Sequence, residues 1–289
     1  MASIKEYNIK LRSLKNTQKI TKTMKMVSAS KLRKAHHAQA SAKFYAQNLT
    51  ALTSRIAASV ESRTHPLLTP KTEVTKALIL ILTSNKGLCG AFNQNAIKQV
   101  LVWLDAHRKN YQQIDVSCVG KKGFQSLKRH VSVKKLYEPS AADPQFSDAI
   151  AIGQDFSGYF TDGEYDEIFI VYNQFFSPLS QKAVFEKILP IDPKSLIHES
   201  LGPVREYLFE PEPKELLAFL IPHFLYFKIY FAMLENWAGE HGARMTAMDN
   251  ATKNASELIE LYTLLRNRAR QEQITTELIE IIAGAEALK

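Results

Sequence analysis

The sequence predicts an α/β domain, built on a small and mainly parallel sheet, that is inserted between two long helices. Residues 1–65 contain neither glycine nor proline and repeat apolar positions every three or four residues. Short apolar runs then alternate with helical segments, and residues 212–289 return to a helical pattern. Because the middle domain, residues 74–211, is too small to cover both helical stripes, we expect the two helices to pair as an antiparallel coiled coil.

The first helix is predicted over residues 1–65, which are rich in the strong helix formers Ala, Lys, Leu, Gln and Met. A helix of this length spans roughly 90 Å, far more than a globular domain requires. Pro66 is expected to end it. The predicted heptad seam consists of Ile4, Tyr7, Leu11, Leu14, Thr17, Thr21, Met24 and Ser28, followed by Tyr45, Leu49, Leu52, Ile56 and Val60.

The middle domain shows the strand–helix alternation that is typical of a Rossmann-like fold with a mainly parallel sheet. Its first apolar run, residues 77–83, is continuous, as expected of a strand that is buried on both faces. The other predicted strands are 114–119, 167–172 and 183–189, and the predicted helices are 93–108, 122–129 and 146–160.

The C-terminal helix is predicted to follow a proline-containing junction at 210–213. Residues 216–234 are strongly apolar, which is also a property of membrane spans. They include Pro222, His223 and Lys228, however, and a charged residue near the centre of a span costs about 2.5–3.5 kcal/mol. We therefore expect the buried start of a long helix rather than a membrane span.

The net charge of +8 is concentrated in the first helix. Residues 1–65 carry 13 Lys and Arg against two Glu, a net charge of +11, so the rest of the chain carries −3. A helix this basic is expected to face an acidic partner, namely nucleic acid, anionic lipid or acidic protein loops. Aromatic residues that could stack on bases are limited to Tyr7, Phe44 and Tyr45, which disfavours single-stranded nucleic acid.

No motif in the sequence predicts catalysis, a metal site or a cofactor. Residues 83–90 lie between a strand and a helix, where phosphate-binding loops occur, but they lack both the Gly-Lys-Ser/Thr ending and a G-x-G-x-x-G pattern. We expect a structural turn there. Cys89 has no neighbouring base, and its distance in sequence from Cys118 excludes a zinc motif. The first residues also lack the apolar core of a secretory signal.

Motifs in three parts of the chain carry a family resemblance. They are NTQKITK at 16–22, MKMV at 24–27 and SKLR at 30–33; GLCG at 87–90 with Phe92 and Asn93; and ARM at 243–245, AMDNAT at 247–252, ARQ at 269–271, ITTE at 274–277 and GA at 284–285. In this order they resemble the γ subunits of F-type ATP synthases over essentially the whole chain. Asn85, Lys86 and Arg266 depart from the family pattern. So do Gly239 and Gly242, which should soften the helix locally by about 1 kcal/mol each.

The resemblance implies a central shaft rather than an enzyme. In that family the coiled coil turns inside a ring of three α and three β subunits, which hold the nucleotide sites. The α/β domain and the lower coil rest on the ε subunit and on the membrane c-ring. The resemblance therefore implies a peripheral subunit on the cytoplasmic side of a bacterial membrane, which couples proton-driven rotation to ATP synthesis or hydrolysis. It implies no cofactor, no metal and no nucleic acid, and it gives the basic helix acidic loops of the β subunits as partners.

The same resemblance selects six residues that couple rotation to the β-subunit sites. From the residues alone, an ordinary role in packing or on the coil surface stays open for several of them. Two other functions also stay open: a basic coiled-coil scaffold that binds nucleic acid, and an α/β enzyme that uses the turn at 87–90. The six residues are Met24, Arg244, Arg270, Gln271, Thr275 and Glu277.

Overall fold

The computed structural model describes residues 4–59, 65–141, 143–192, 210 and 212–287. The chain divides into two compact units. Unit 1 combines Met1–Ser28 with Arg244–Lys289, and unit 2 is Ala29–Ala243.

Two long helices contribute residues to both units. Helix α1 covers Ile4–Ser59 and helix α5 covers Pro213–Ala287, with 56 and 75 residues. Both agree with the predicted terminal helices. The predicted break at Pro66 coincides with a short 3₁₀ turn, Pro66–Leu68, while residues 60–64 lie outside the described residues.

In unit 1 the two helices run antiparallel, as predicted. Four contacts give this direction, because the residue numbers rise along α1 as they fall along α5. The contacts join hydroxyl, amide, ring and charged groups, so this part of the seam is largely polar. They are a ring contact between Tyr7 and Tyr262 (centroids 6.2 Å apart), hydrogen bonds from Gln18 Nε2 to Ser256 Oγ (2.7 Å) and from Thr252 Oγ1 to Thr21 Oγ1 (2.7 Å), and an ion pair between Lys25 and Asp249 (2.5 Å).

Burial along α1 follows a heptad that differs from the predicted seam at three positions. Thr17, Tyr45 and Leu52 are exposed, and Gln18, Ala46 and Thr53 are the seam residues instead. Gln18 can lie in the seam because the facing helix offers it Ser256 as a hydrogen-bond partner. The side chains of the predicted members Ile56 and Val60 lie outside the described residues. Buried or half-buried side chains recur at Leu11, Leu14, Gln18, Thr21, Lys25, Ser28, Leu32, Ala35, Gln39, Ala42, Ala46, Leu49 and Thr53.

Unit 2 contains a five-stranded sheet with the strand order β3-β2-β1-β4-β5. Four strands are parallel and β5 is antiparallel to β4, so the sheet is mainly parallel, as predicted. The strands are β1 (Lys76–Leu82), β2 (Gln113–Val119), β3 (Ser132–Tyr137), β4 (Glu167–Ser177) and β5 (Ser180–Leu189), and the helices between them are α2 (Phe92–His107), α3 (Lys121–Leu127) and α4 (Phe146–Thr161).

The centre of the sheet is β1, which is flanked by β2 and β4. Residues 77–82 are all buried, as expected from the continuous apolar run. Ile79 and Ile81 belong to one core cluster with Ile97 and Val100 of α2 and Leu127 of α3. Burial of each such side chain contributes about 1.5–3 kcal/mol relative to leaving it in water.

Strand β3 is absent from the predicted elements, and β4 is longer than predicted. β3 lies at the edge of the sheet, pairs with β2 alone and keeps most of its side chains exposed or half-buried, so it lacks a clear apolar pattern. β4 continues past the predicted end at residue 172 as far as Ser177, paired there with β5. We call residues 172–184, which form the end of β4 and the start of β5, the hairpin arm.

A buried carboxylate joins the start of β1 to the loop before β4. Asp166 accepts hydrogen bonds from the backbone N–H of Thr75 (2.8 Å) and of Lys76 (2.9 Å), and from the Thr75 hydroxyl (3.2 Å). Desolvation alone would raise the pKa of Asp166, but these hydrogen bonds outweigh it and lower the pKa below its ordinary value. The stabilisation by Asp166 is therefore present near neutral pH and is lost as the pH falls through the lowered pKa.

The apolar start of α5 is a core element of unit 2. Leu217, Ile221, Leu225 and Ile229 recur at helical spacing and are buried. By length and composition alone, part of Glu215–Ala285 could cross a membrane, a criterion that core helices of soluble proteins also meet. The observed burial agrees with the predicted buried helix start.

Two glycines of α4 give a matched test of its packing on α5. A Cβ atom at Gly153 would lie 2.2 Å from Cδ1 of Tyr226, whereas a Cβ atom at Gly158 would meet no atom within 4 Å. We expect Gly153→Ala to lower the free energy of unfolding by about 1–3 kcal/mol through overpacking. Gly158→Ala should be neutral or stabilise by up to about 1 kcal/mol. Urea denaturation of the two variants checks this, and equal stabilities would contradict the packing.

Candidate functional site

All six residues selected by the family resemblance belong to unit 1, but they form two separate groups. Met24 is half-buried on α1, beside the Lys25–Asp249 ion pair, and Arg244 on α5 is 7% exposed. Arg270 follows Arg244 by 26 positions on the same helix, which is roughly 39 Å at 1.5 Å per residue. The structure therefore does not bring Arg244 together with the later residues.

The second group consists of exposed polar side chains near the end of α5. Arg270, Gln271, Thr275 and Glu277 are all exposed. Gln271 and Thr275 lie one turn apart, and the Thr275 hydroxyl donates a hydrogen bond to the Gln271 carbonyl oxygen (3.0 Å). Glu277 accepts one from Gln273 Nε2 (2.8 Å). These bonds are local to the helix, so the side chains remain accessible to another molecule.

An exposed apolar surface surrounds this second group, and the sequence analysis missed it. Its side chains are between 49% and 68% exposed in the folded chain. The signal was present in the sequence, because at helical spacing these residues fall on one broad face, opposite Gln273, Thr276 and Glu280. Contiguous apolar surface of this kind marks a site of protein interaction. We call it the C-terminal apolar stretch; it consists of Ile274, Leu278, Ile279, Ile281 and Ile282.

The basic side chains of α1 lie mostly on its exposed surface. Within unit 1 its lysines and its arginine are exposed, apart from half-buried Lys25. Like-charged side chains along one helix repel each other, so an acidic partner would stabilise this surface. The exposed residues are Lys5, Lys10, Arg12, Lys15, Lys19 and Lys22.

The turn between β1 and α2 is closed by its own hydrogen bonds. The Ser84 N–H donates to Asn93 Oδ1 (2.9 Å), and Asn93 Nδ2 donates to Ser84 Oγ (2.8 Å) and to Cys89 Sγ (3.2 Å). Leu88 and Gly90 adopt left-handed backbone angles, with φ of 64° and 58°. The polar groups of Ser84 and Asn93 thus hold the turn itself, as expected of a structural turn.

The cavity next to this turn is too small for a nucleotide. It has a volume of about 110 Å³ and is lined in part by Thr83, Asn85, Gly120, Trp237 and Glu240. Pockets for drug-sized ligands usually measure about 300–1,000 Å³. Within the described residues, no three His, Cys, Asp or Glu side chains are grouped so that they could hold a metal ion.

Neither cysteine has the surroundings of a nucleophile. Cys89 and Cys118 are 2% and 0% exposed. Burial raises the pKa of the Cys118 thiol to about 12, which keeps it protonated at neutral pH.

Comparison with known proteins identifies the family. A family model described as ATP synthase matches residues 3–288. The ATP synthase gamma chain of Trichlorobacter lovleyi is 43% identical over 290 residues, covering 100% of both chains. The chain belongs to the ATP synthase γ-chain family. Neither of these two matches favours a nucleic-acid-binding scaffold.

Solved structures share the fold of this γ-chain family member. A chain from the mitochondrial ATP synthase of Euglena gracilis superposes with a TM-score of 0.67 and 22% identity, covering 99% of this chain and 94% of that one. A chain from the central stalk and c-ring of the Tetrahymena thermophila mitochondrial ATP synthase gives a TM-score of 0.59 and 24% identity, covering 80% and 99%.

The burial of both cysteines predicts that the native chain resists alkylation. Cys89 and Cys118 should not react with N-ethylmaleimide in buffer, and both should react in denaturant, because the thiols are shielded by the core. Mass spectrometry measures the labelling, and the variant Val102→Cys, at a position that is 56% exposed, is the control that must label at once. Rapid labelling of Cys89 in the native chain would contradict its packing.

Proposed function

We propose that this chain is the central-stalk subunit of a proton-translocating ATP synthase, which couples ion-driven rotation to ATP synthesis and hydrolysis at sites held by other subunits. Membership of the γ-chain family across residues 3–288 is the observation that carries this proposal. The antiparallel pairing of α1 and α5 in unit 1 supports it, because paired helices resist twisting better than a flexible linker does.

The proposed partners are three α subunits, three β subunits, the ε subunit and the c-ring. Two surfaces of unit 1 require partners of this kind. The C-terminal apolar stretch suits partner subunits that enclose the helix, and the exposed lysines of α1 suit acidic loops on the β subunits. Charge complementarity at such a contact mainly guides and orients the partners, which fits a contact that must form and break repeatedly.

The chain itself is proposed to be non-catalytic, and to lie on the cytoplasmic side of a bacterial membrane as a peripheral subunit. The closed turn at 83–90 and the small cavity beside it support the first point. The bacterial γ chain that it resembles over its full length supports the second. The functional segments are proposed to be residues 1–65, 74–211 and 212–289.

Torque rather than chemistry is the task of such a subunit. Each proton that crosses a potential of 100 mV delivers about 2.3 kcal/mol. The free energy delivered by several protons must accumulate in the stalk before one ATP is released. We propose that Met24 and Arg244 each contribute to this coupling, and that Arg270, Gln271, Thr275 and Glu277 form a second coupling position near the end of α5.

Gln271→Leu tests the second coupling position. The variant should assemble normally, because Gln271 is exposed, but proton-driven ATP synthesis should fall by about two- to tenfold, as expected when an interface loses one hydrogen bond of ~0.5–1.5 kcal/mol. Synthesis is measured in energised membranes. Gln99→Leu, at an exposed position of α2, is the control and should be normal. Unchanged synthesis with Gln271→Leu would remove this residue from the site.

Purification of the native complex tests the partners. An affinity tag on this chain should recover α and β subunits in threefold molar excess over it, because one stalk is surrounded by three of each. Quantitative mass spectrometry gives the ratio. Recovery of the chain with nucleic acid, or in equimolar amounts with α and β, would contradict the proposal.

The isolated chain should not hydrolyse ATP. In the turn at 83–90 the polar groups of Ser84 and Asn93 bond to each other, so they are not available to bind and polarise the phosphates. A coupled assay of the purified chain measures turnover, and the complete complex is the positive control. Robust turnover by the chain alone would overturn the non-catalytic assignment.

A further inference from the structure

The hairpin arm leaves one edge of β4 without a neighbouring strand. β4 pairs with β1 only from Glu167 to Val171. From Tyr172 to Ser177 it pairs with β5 alone. The backbone N–H groups on the other edge of this stretch therefore need partners from outside the sheet, because an unpaired buried N–H is costly.

Helix α5 supplies these partners through two consecutive side chains. The Phe175 N–H donates to Glu235 Oε2 (2.7 Å), and the Asn173 N–H donates to Asn236 Oδ1 (3.3 Å). Asn173 and Phe175 are alternate residues of the strand, so their N–H groups point to the same side. Glu235 and Asn236 thus take the place of a missing strand.

The same carboxylate also reaches α1. Gln39 Nε2 donates a hydrogen bond to Glu235 Oε1, and the His36 ring packs edge-on against the Phe175 ring with centroids 4.9 Å apart. Glu235 is 4% exposed. One buried carboxylate therefore joins three elements of unit 2: α5, α1 and the hairpin arm.

Two glycines of α5 allow the hairpin arm and α2 to approach the helix closely. A Cβ atom at Gly239 would lie 2.9 Å from Cε2 of Phe92. A Cβ atom at Gly242 would lie 3.0 Å from Cε2 of Phe175 and 3.1 Å from Cα of Pro178. These glycines, which the sequence analysis expected only to soften the helix, are sites of close packing.

A charged acceptor makes the hydrogen bonds of Glu235 to Phe175 and Gln39 stronger than a neutral acceptor would. Hydrogen bonds to an ionised group are roughly twice as strong as neutral ones, and a buried carboxylate is tolerated only when it is hydrogen-bonded. Loss of Glu235 would leave the Phe175 N–H and the Gln39 amide unsatisfied together. The helices and the hairpin arm would then be free to shift against each other.

We propose that Glu235 is the positioning residue that transmits torque between the long helices and the α/β domain, through the hairpin arm. This inference rests on the proposed function as a central stalk. Glu235 acts by holding Phe175 and Gln39, and it need not contact any other subunit.

Four variants in the complete ATP synthase complex test this role. Glu235→Met keeps the side-chain length and helix propensity but removes both acceptors. Glu235→Gln is the conservative variant, because its amide oxygen still accepts from Phe175 while the Gln39 amide can rotate to accept from its NH₂ group. Gln39→Glu places two carboxylates against each other. Combining Gln39→Glu with Glu235→Gln restores a donor and an acceptor at the original net charge.

The rate of hydrogen exchange at the Phe175 amide reports directly on its hydrogen bond to Glu235. In Glu235→Met it should be roughly tenfold faster, as expected for the loss of a hydrogen bond to a charged group. Gln39→Glu should accelerate exchange as well. Glu235→Gln and the double variant should exchange at a rate between those of the native complex and Glu235→Met, because a neutral amide oxygen still accepts from the Phe175 N–H but more weakly than a carboxylate.

The ratio of protons pumped to ATP hydrolysed, measured in inverted membrane vesicles, gives the functional readout. It should fall in Glu235→Met and Gln39→Glu and should be normal in Glu235→Gln and the double variant. A merely structural role would lower the yield of assembled complex without changing this ratio. Glu186→Gln is the matched control, since it removes a more exposed ion pair between strand β5 and α5 (Lys228 Nζ to Glu186 Oε1, 2.5 Å).

The outcomes separate the inference from the proposed function. If the native complex pumps protons and Glu235→Met pumps with the same ratio, the role of Glu235 is wrong and the central-stalk function stands. The role is also wrong if Glu186→Gln lowers the ratio as much as Glu235→Met, or if the double variant fails to restore it. If the native complex that contains this chain pumps no protons, the proposed function itself fails.

Discussion

Each of the two long helices carries a stripe of residues that it cannot bury by itself, and this constraint governs the rest of the structure. A single helix in water gains little from its own backbone, so its stability comes from the surface against which it packs. In unit 1 the two helices cover each other, with Gln18 and Thr21 on α1 bonded to Ser256 and Thr252 on α5. In unit 2 the buried residues at the start of α5 form part of the core.

The seam in unit 1 is held by polar groups, which makes it specific rather than strongly hydrophobic. An aliphatic seam tolerates a shift by one heptad, because one leucine packs much like another. A hydroxyl or amide in the seam is satisfied only opposite its own partner, and an unsatisfied one costs about 1–3 kcal/mol. The Lys25–Asp249 pair adds the same restriction through charge. The antiparallel register is thus defined by hydrogen bonds, as single buried polar residues define the register of other coiled coils.

The surfaces of this chain matter for function more than its interior does. In the described residues the polar groups of the β1–α2 turn bond to each other, and both thiols are buried. The charged face of α1 and the C-terminal apolar stretch are by contrast open to other molecules. The central-stalk role proposed above requires this distribution, because a stalk transmits torque through surface contacts with its partners.

The sequence by itself determined the two long helices, the buried strand β1 and the mainly parallel sheet, because the periods of helices and strands are local properties. It also carried the motifs of the γ-chain family. The tertiary structure decided what depends on a partner distant in sequence. Edge strand β3 forms because β2 offers it hydrogen bonds, and Gln18 lies in the seam because Ser256 faces it. In the sequence, Glu235 has the pattern of an ordinary charged residue of a helix. Only the fold places it beside the edge of β4 that lacks a neighbouring strand, where the Phe175 N–H lies 2.7 Å from its carboxylate.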